Sequence, residues 1–154
     1  KVQLKGIKNP ENFNLYFSIY HPIVLMTSRQ CLFHQVSGCG KNKIDETCIP
    51  HCENTSTLQN LKKETFLVEK SKGNYHRIYN GTNYLNTDII ADFPDLFSGF
   101  MIDLREIKTE SQTASNKLSL IIQFENFLVG DTNSDDKIQL DIENTNNMQY
   151  KKGI

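Results

Sequence analysis

No apolar run in this sequence exceeds the four residues Ile23 to Met26, so nothing in it has the makings of a membrane-spanning helix or a signal-peptide core. Charge of one sign is not in excess either. Seventeen basic and 18 acidic side chains leave a formal net charge of -1, which argues against a wholesale electrostatic grip on nucleic acid or on an anionic membrane and leaves room only for a local patch. At 154 residues the chain is too short for two ordinary cores. It is also too short for a complete eight-fold β/α barrel, which takes roughly 250 residues. A Gly-rich phosphate loop, a nucleophile elbow and a His-Glu-x-x-His helix are all missing. There is no internal repeat, low-complexity tract or linker, so residues 1–154 are expected to form one unit. Position 1 is Lys rather than Met, from which a longer parent chain is expected.

Cysteine is absent from all but one stretch. Cys31, Cys39, Cys48 and Cys52 fall within 22 consecutive residues. Disulfides that staple a small fold usually join distant elements, because closing longer loops removes more entropy from the unfolded chain. A tight cluster in an otherwise cysteine-free chain argues instead for a shared ligand. Seven, eight and three residues separate successive cysteines, and only Cys48 and Cys52 approach the close pairing of a structural zinc site. Iron–sulfur clusters are larger and accept wrapping loops of several spacings, four thiolates completing a four-iron four-sulfur cluster. The spacing thus favours an iron–sulfur cluster, with zinc as the alternative and disulfides or free thiols behind both. His51, between the last two cysteines, is expected beside the centre or exposed rather than as a ligand.

Periodicity suggests a mixed α/β chain, or α+β as an isolated piece. Val2 and Leu4 begin a short alternating stretch. Leu15 to Met26 favours strand by its aromatic and β-branched content, with Pro22 marking an edge, a bulge or a fresh start at Ile23. The segment from Gly38 to Thr57 lacks a period and belongs to a cysteine loop spanning about 31–57. Glu64 to Lys70 and Tyr75 to Tyr79 alternate on either side of a Ser71-Lys72-Gly73-Asn74 turn signal, which predicts a β-hairpin. Thr87 is a candidate N-cap for a helix over Asp88 to Phe93, closed by Pro94. Gly99 to Arg105 predicts a strand with Phe100, Met101 and Ile102 buried. From Ser115 to Gly130, Leu120, Ile121, Phe124, Phe127 and Leu128 share one helical face. Ile138, Leu140 and Ile142 alternate and predict a last strand, followed by an irregular tail from Asn144.

Other motifs are weaker. Asp131-Thr132-Asn133-Ser134-Asp135 begins like a calcium loop, but its sixth position is Asp136 and its twelfth Ile142, so a solvated turn is the better reading. A Ser/His/Asp triad can be assembled only by free choice among Ser28, His21, His34 and Asp103. Arginine is scarce: Arg29, Arg77 and Arg105 stand against 14 lysines. Arg29 and Arg105 fall at the C-terminal ends of predicted strands, where α/β proteins place ligand-binding groups. Each is a candidate clamp for a carboxylate or phosphate, the ordinary alternative for Arg105 being an ion pair with Asp103 or Glu106. Lys41, Lys43, Lys62, Lys63, Lys70, Lys72, Tyr75 and His76 would permit a zinc-stapled RNA-binding module, although a solvated basic face accounts for them as well.

The segment Leu25-Met26-Thr27-Ser28-Arg29-Gln30-Cys31 resembles the collagenase-like peptidase family U-thirty-two. The resemblance continues in order through Cys48-Ile49-Pro50-His51-Cys52, the hairpin at 64–79, Ile78-Tyr79-Asn80, Ile102-Asp103-Leu104-Arg105 and the tail from Thr145 to Ile154. It implies the C-terminal part of a longer cytoplasmic protein whose N-terminal region supplies most of a TIM-like β/α barrel. The similarity is closest to the ribosomal RNA cytidine hydroxylases. It implies a four-cysteine iron–sulfur cluster on Cys31, Cys39, Cys48 and Cys52, and Arg29 and Arg105 as substrate-binding groups. It also implies an enzyme, at full length, of oxygen-independent hydroxylation with ribosomal or transfer RNA as substrate and prephenate as cosubstrate. The family name offers proteolysis as the alternative activity, without a nucleophile, base or catalytic metal to assign to it here.

Overall fold

The computed structural model describes residues 4–6, 13–37, 48, 56–71, 75–111, 113–131 and 133–152. Of the expected features, the start of the alternating stretch at Val2 and most of the cysteine loop, with Cys39, His51 and Cys52, lie outside these. The described chain is mixed α+β. Its strands are β1 (Tyr16–Ser28), β2 (Ser56–Gln59), β3 (Thr65–Ser71), β4 (Tyr75–Leu85), β5 (Gly99–Ile102) and β6 (Thr145–Asn146). Its helices are α1 (Leu32–Ser37), α2 (Asp88–Asp92), α3 (Lys117–Leu128), α4 (Asn133–Asp141) and α5 (Met148–Lys152). The strands form one mixed sheet in the order β2-β3-β4-β1-β5, with β6 beside β4. No helix among the described residues is long and apolar enough to cross a membrane. Two compact units divide the chain, one of Lys1–His21 with Thr82–Ile154 and one of Pro22–Gly81.

In the first unit, β5 lies parallel to β1, with Tyr16 opposite Gly99 and Tyr20 opposite Ile102. Ile19 and Tyr20 of β1, Leu85 of β4, Ile89 of α2, Leu120 and Phe124 of α3, and Ile138 and Ile142 around α4 make its buried core. Asn116 caps α3 by accepting the Ser119 N–H at 2.9 Å. The same helix ends at Gly130, whose φ of +96° places it in the left-handed region. There the Asp131 N–H bonds the Asn126 carbonyl and the Gly130 N–H the Phe127 carbonyl, the paired bonds of a Schellman stop. Only glycine adopts that conformation without strain. The Asp131 carboxylate then opens α4, accepting from the Asn133 N–H at 3.1 Å and the Ser134 hydroxyl at 2.8 Å.

Several expectations are corrected here. Ile138, Leu140 and Ile142 are not a strand: Ile138 and Leu140 lie in α4, with Ile142 just past its end. Buried Ser134, Ile138, Asp141 and Ile142 recur at offsets of four, seven and eight, while Leu140 is 78% exposed. An i, i+4 pair also satisfies a period of two, so three alternating residues are too few to tell the periods apart. The tail is not irregular either, since β6 pairs in parallel with β4 through Asn83–Thr145 and Tyr84–Asn146, and α5 follows. The strand expected through Arg105 stops at Ile102, and Met101 is 57% exposed. Thr87 does hold the cap position of α2 but makes no side-chain cap bond; its hydroxyl accepts from Gln139. Leu128, assigned to the buried face of α3, is partly exposed.

Pro22 does not interrupt β1. The Tyr20 carbonyl faces β5, accepting the Asp103 N–H at 2.7 Å, and the Ile19 carbonyl faces the other way, accepting the Asn86 N–H at 2.9 Å. By that alternation Pro22 faces the β5 side, two residues beyond the last β1 residue in register with β5. Its missing N–H therefore costs the ladder nothing.

The second unit is built on β2, β3 and β4, successively antiparallel. Asn60 shapes the first turn, its side-chain oxygen accepting the N–H groups of Lys62 and Glu64 at 2.9 and 3.0 Å. The register of the second hairpin sets Val68 opposite Ile78, Glu69 opposite Arg77 and Lys70 opposite His76. Ile23, Phe33, Cys48, Leu67, Val68, His76 and Tyr79 are buried. The hairpin at 64–79 thus matches the sequence reading closely, while β2 extends structure into a stretch expected to be loop.

Candidate metal centre

The Pro22–Gly81 unit brings together side chains from β1, α1 and the β3–β4 hairpin. β1 ends at Ser28, and Cys31 stands immediately before α1, where its Sγ accepts the His34 N–H at 3.4 Å. That is the reach of an N-cap side chain to the third helical amide. On its other side Cys31 Sγ lies 3.9 Å from His76 Nε2. His76 is only 1% exposed, and the Phe33 ring meets it edge-on with centroids 5.2 Å apart. Burial holds its imidazole below the usual histidine range, and the Lys70 ammonium adds to that, against a Gln30 carbonyl that favours a proton on the ring.

Cys48 meets the hairpin through its main chain. Its carbonyl accepts from Lys70 Nζ at 3.4 Å, and Lys70 is the cross-strand partner of His76. Directly opposed residues of an antiparallel pair project from the same face. Cys31 at His76 and Cys48 at Lys70 are therefore gathered over one side of the hairpin, although 17 positions separate them in the chain. Cys31 is a free thiol. Among the described residues no three His, Cys, Asp or Glu side chains stand close enough to hold an ion by themselves. Cys39 and Cys52, expected to complete the set, lie outside the described residues.

No protein-family model, curated protein or solved structure matches this chain. The case for its chemistry therefore rests on the residues themselves.

Arg29 does not join the cysteines. Its guanidinium donates to the Tyr75 hydroxyl from Nε at 3.1 Å and Nη2 at 2.8 Å, with the guanidinium carbon 5.2 Å from the ring centroid. Tyr75 and His76 are consecutive on β4 and point to opposite faces of the hairpin.

Arg105 belongs to the other unit, three residues past β5. Asp103 engages it with both oxygens, Nε at 2.9 Å from Oδ1 and Nη2 at 2.6 Å from Oδ2, so the ion-pair alternative describes it. Glu106 pairs with Lys117 instead, at 2.9 Å. Arg105, Glu106 and Lys117 rim a cleft of about 120 Å³ whose floor includes Tyr20, Asn83 and Ser111. Asn83 is fixed there by three bonds: its N–H to the Ser111 hydroxyl, its amide nitrogen to the Tyr20 hydroxyl, and its amide oxygen from the Thr109 hydroxyl. The Arg105 hydrogen bonds hold the Asp103 carboxyl below the ordinary aspartate range, against the pull of partial burial. A depressed carboxyl contributes stability above its unfolded pKa of about 3.9 and loses it as pH falls through the folded value. Because Arg105 is half exposed, Arg105→Gln should cost under about 1 kcal/mol. It should nevertheless move the Asp103 titration upward, and carboxyl-detected NMR through the acid range would read that shift directly.

The free-choice triad is not assembled. His21 Nδ1 is 2.9 Å from the Ser18 hydroxyl rather than that of Ser28, and the Ser28 hydroxyl accepts the Gln30 N–H. His34 stands instead at the foot of α1, beside Cys31. His76 is the residue whose place at this centre the sequence does not announce. Its signal is the hairpin register, which sets it opposite Lys70, but nothing local ties it to a cysteine 45 positions away.

Proposed function

We propose that this chain carries an iron–sulfur cluster and is the C-terminal part of a U-thirty-two type protein whose N-terminal region supplies a TIM-like β/α barrel. One observation carries the reading: Cys31 and Cys48 converge on one face of the β3–β4 hairpin, around the Lys70–His76 pair. The donor set fits a thiolate-held centre. The Cys31 thiol stands beside a buried imidazole whose Nδ1 has no hydrogen-bond partner, and Lys70, opposite His76 on the hairpin, is placed to offset the charge of a metal-bound thiolate. Cys31 and Cys48 would hold the cluster, with Cys39 and Cys52 completing the set as the resemblance implies. When bound, such a cluster supplies one-electron chemistry or an open iron for a substrate oxygen. Phe33 shields one side of the site from water, and α1 fixes the Cys31 backbone at its cap. The order of family-like motifs along the chain supports oxygen-independent hydroxylation of ribosomal or transfer RNA with prephenate as the activity of the whole protein. A carboxylated cosubstrate in the cleft rimmed by Arg105 and Lys117 would have to displace Asp103 and Glu106 from these cations.

Zinc is the second reading, favoured by the mixed sulfur and nitrogen donors at Cys31 and His76. One experiment separates the two: an absorption spectrum of protein purified without oxygen, with iron, sulfide and zinc quantified on the same sample. The expected result is broad absorbance near 400 nm with about four irons and four sulfides per chain. One zinc without iron would make the centre a structural clamp, and neither metal would end the reading.

A further inference from the structure

We infer that the C-terminal half of β1 is a docking edge for the same strand of a second copy of this chain, the two pairing antiparallel about Met26. β1 runs for 13 residues, but its register with β5 ends at Tyr20 opposite Ile102. In the sheet order β1 stands between β4 and β5. From Pro22 onward, therefore, the side that β5 occupies earlier in the strand has no partner strand among the described residues. The alternation that turns the Tyr20 carbonyl to β5 turns the main-chain groups of Val24, Met26 and Ser28 to that same side. An open row of N–H and C=O groups is a template for another strand.

The side chains along this edge agree. Val24, Leu25 and Met26 are 43, 50 and 44% exposed, and Thr27 is exposed as well. Successive strand residues point to opposite faces, so both faces of this stretch are open to solvent at once. Sheet edges left to water are ordinarily blunted by a charge, a proline or a bulge. Here no Asp, Glu, Lys or Arg occurs from Tyr16 to Ser28, and Pro22 lies before the open groups rather than among them.

A second copy fits this edge by its own sequence. In an antiparallel pair with its two-fold axis at Met26, Val24 stands opposite Ser28 of the second copy, Leu25 opposite Thr27, and Met26 opposite itself. Val24, Met26 and Ser28 then exchange both main-chain bonds with their opposites, and Pro22, which has no N–H to give, falls outside the pairing. Charge sets no obstacle. Arg29, the first charged side chain past the axis, is kept about 20 Å from its counterpart at roughly 3.3 Å per residue. That exceeds the screening length of about 8 Å at physiological ionic strength. A short edge pair buries little surface, so the association belongs at the weak end of protein interfaces.

The test uses the whole chain under reducing conditions, which prevent disulfide-linked dimers. Sedimentation velocity from about 10 µM to 1 mM is combined with amide hydrogen exchange over the same range. The expected result is a reversible monomer–dimer equilibrium in which the amides of Val24, Met26 and Ser28 slow as concentration rises. Those of Leu25 and Thr27, which face the β4 side, should not change. Met26→Lys should leave the chain monomeric throughout, because it sets two ammonium groups directly opposite each other on paired strands. Met26→Val should keep the dimer, as should Leu140→Lys, which places a new charge on the exposed side of α4. A wild type that is monomeric at every concentration overturns the proposal, including the case in which an extended segment of another protein covers the edge. So does a dimer that survives Met26→Lys or leaves the three amides unchanged. The wild-type exchange pattern decides the matter even where a variant fails to fold. None of these readouts involves bound metal, so this inference and the metal-centre reading fail separately.

Discussion

Cys31→Ser and Cys48→Ser should each lose most of the bound metal while leaving the local backbone in place. The two substitutions are informative because the structural work of each residue survives the change. Cys31 caps α1 through its side chain, and a serine hydroxyl accepts the His34 N–H at least as well as a thiol does. Cys48 meets Lys70 through its main-chain carbonyl, which any residue at that position retains. Only the soft thiolate is removed, and hydroxyls do not replace it for iron or zinc. Since metal bound only by the folded state adds to folding stability, the variants should also unfold at lower denaturant concentration than the loaded wild type. They should match the wild type once its metal has been chelated. Iron, sulfide and zinc content, followed by urea titration with and without chelator, would check both statements. Full metal content in both variants would mean that these thiols are not ligands.

Phe124→Ala should destabilise the protein by about 3–5 kcal/mol, the usual cost of removing a buried aromatic ring. Phe124 projects from α3 into the cluster formed by Ile19, Tyr20, Leu85, Ile89, Leu120, Ile138 and Ile142, with almost no exposure. For a domain whose total stability is of the order of 5–15 kcal/mol, that is a large share. Leu118→Ala on the same helix should cost under about 0.5 kcal/mol, because Leu118 is mostly exposed. Urea unfolding of the pair compares the inward and outward faces of one helix. Equal losses would show that α3 does not present the face described.

The contrast between α3 and α4 shows what the sequence makes legible. In α3 five apolar residues spread over nine positions admit one period, and the helix follows, with Gly130 as its stop. In α4 three apolar residues over five positions fit either period, and the deciding residues are polar: Ser134 and Asp141, buried on the same side. Asp141 is accommodated because its two oxygens accept from the Ser115 N–H at 2.7 Å and the Gln123 amide at 2.9 Å, groups 26 and 18 positions away. No local pattern carries that information. The hairpin was readable because its alternation and its turn lie next to each other in the chain. In the first unit, Arg105 meets Asp103 two residues away, within the range sequence reasoning can weigh. The contact of His76 with Cys31 was not readable, because it depends on how β1, α1 and the hairpin come together.

The three positions between Ser71 and Tyr75 give the hairpin a parity. Side chains alternate along a strand, so a slip of β4 by one residue against β1, with the added residue taken up between Ser71 and Tyr75, would exchange the outward and inward sets of β4. His76 would then turn away from Lys70 and Cys31, with every donor still present in the sequence. An insertion of two residues would preserve the alternation and lengthen only the turn. The face that His76 shares with Lys70 is thus fixed by the strand register, and a slip of one residue is enough to lose it.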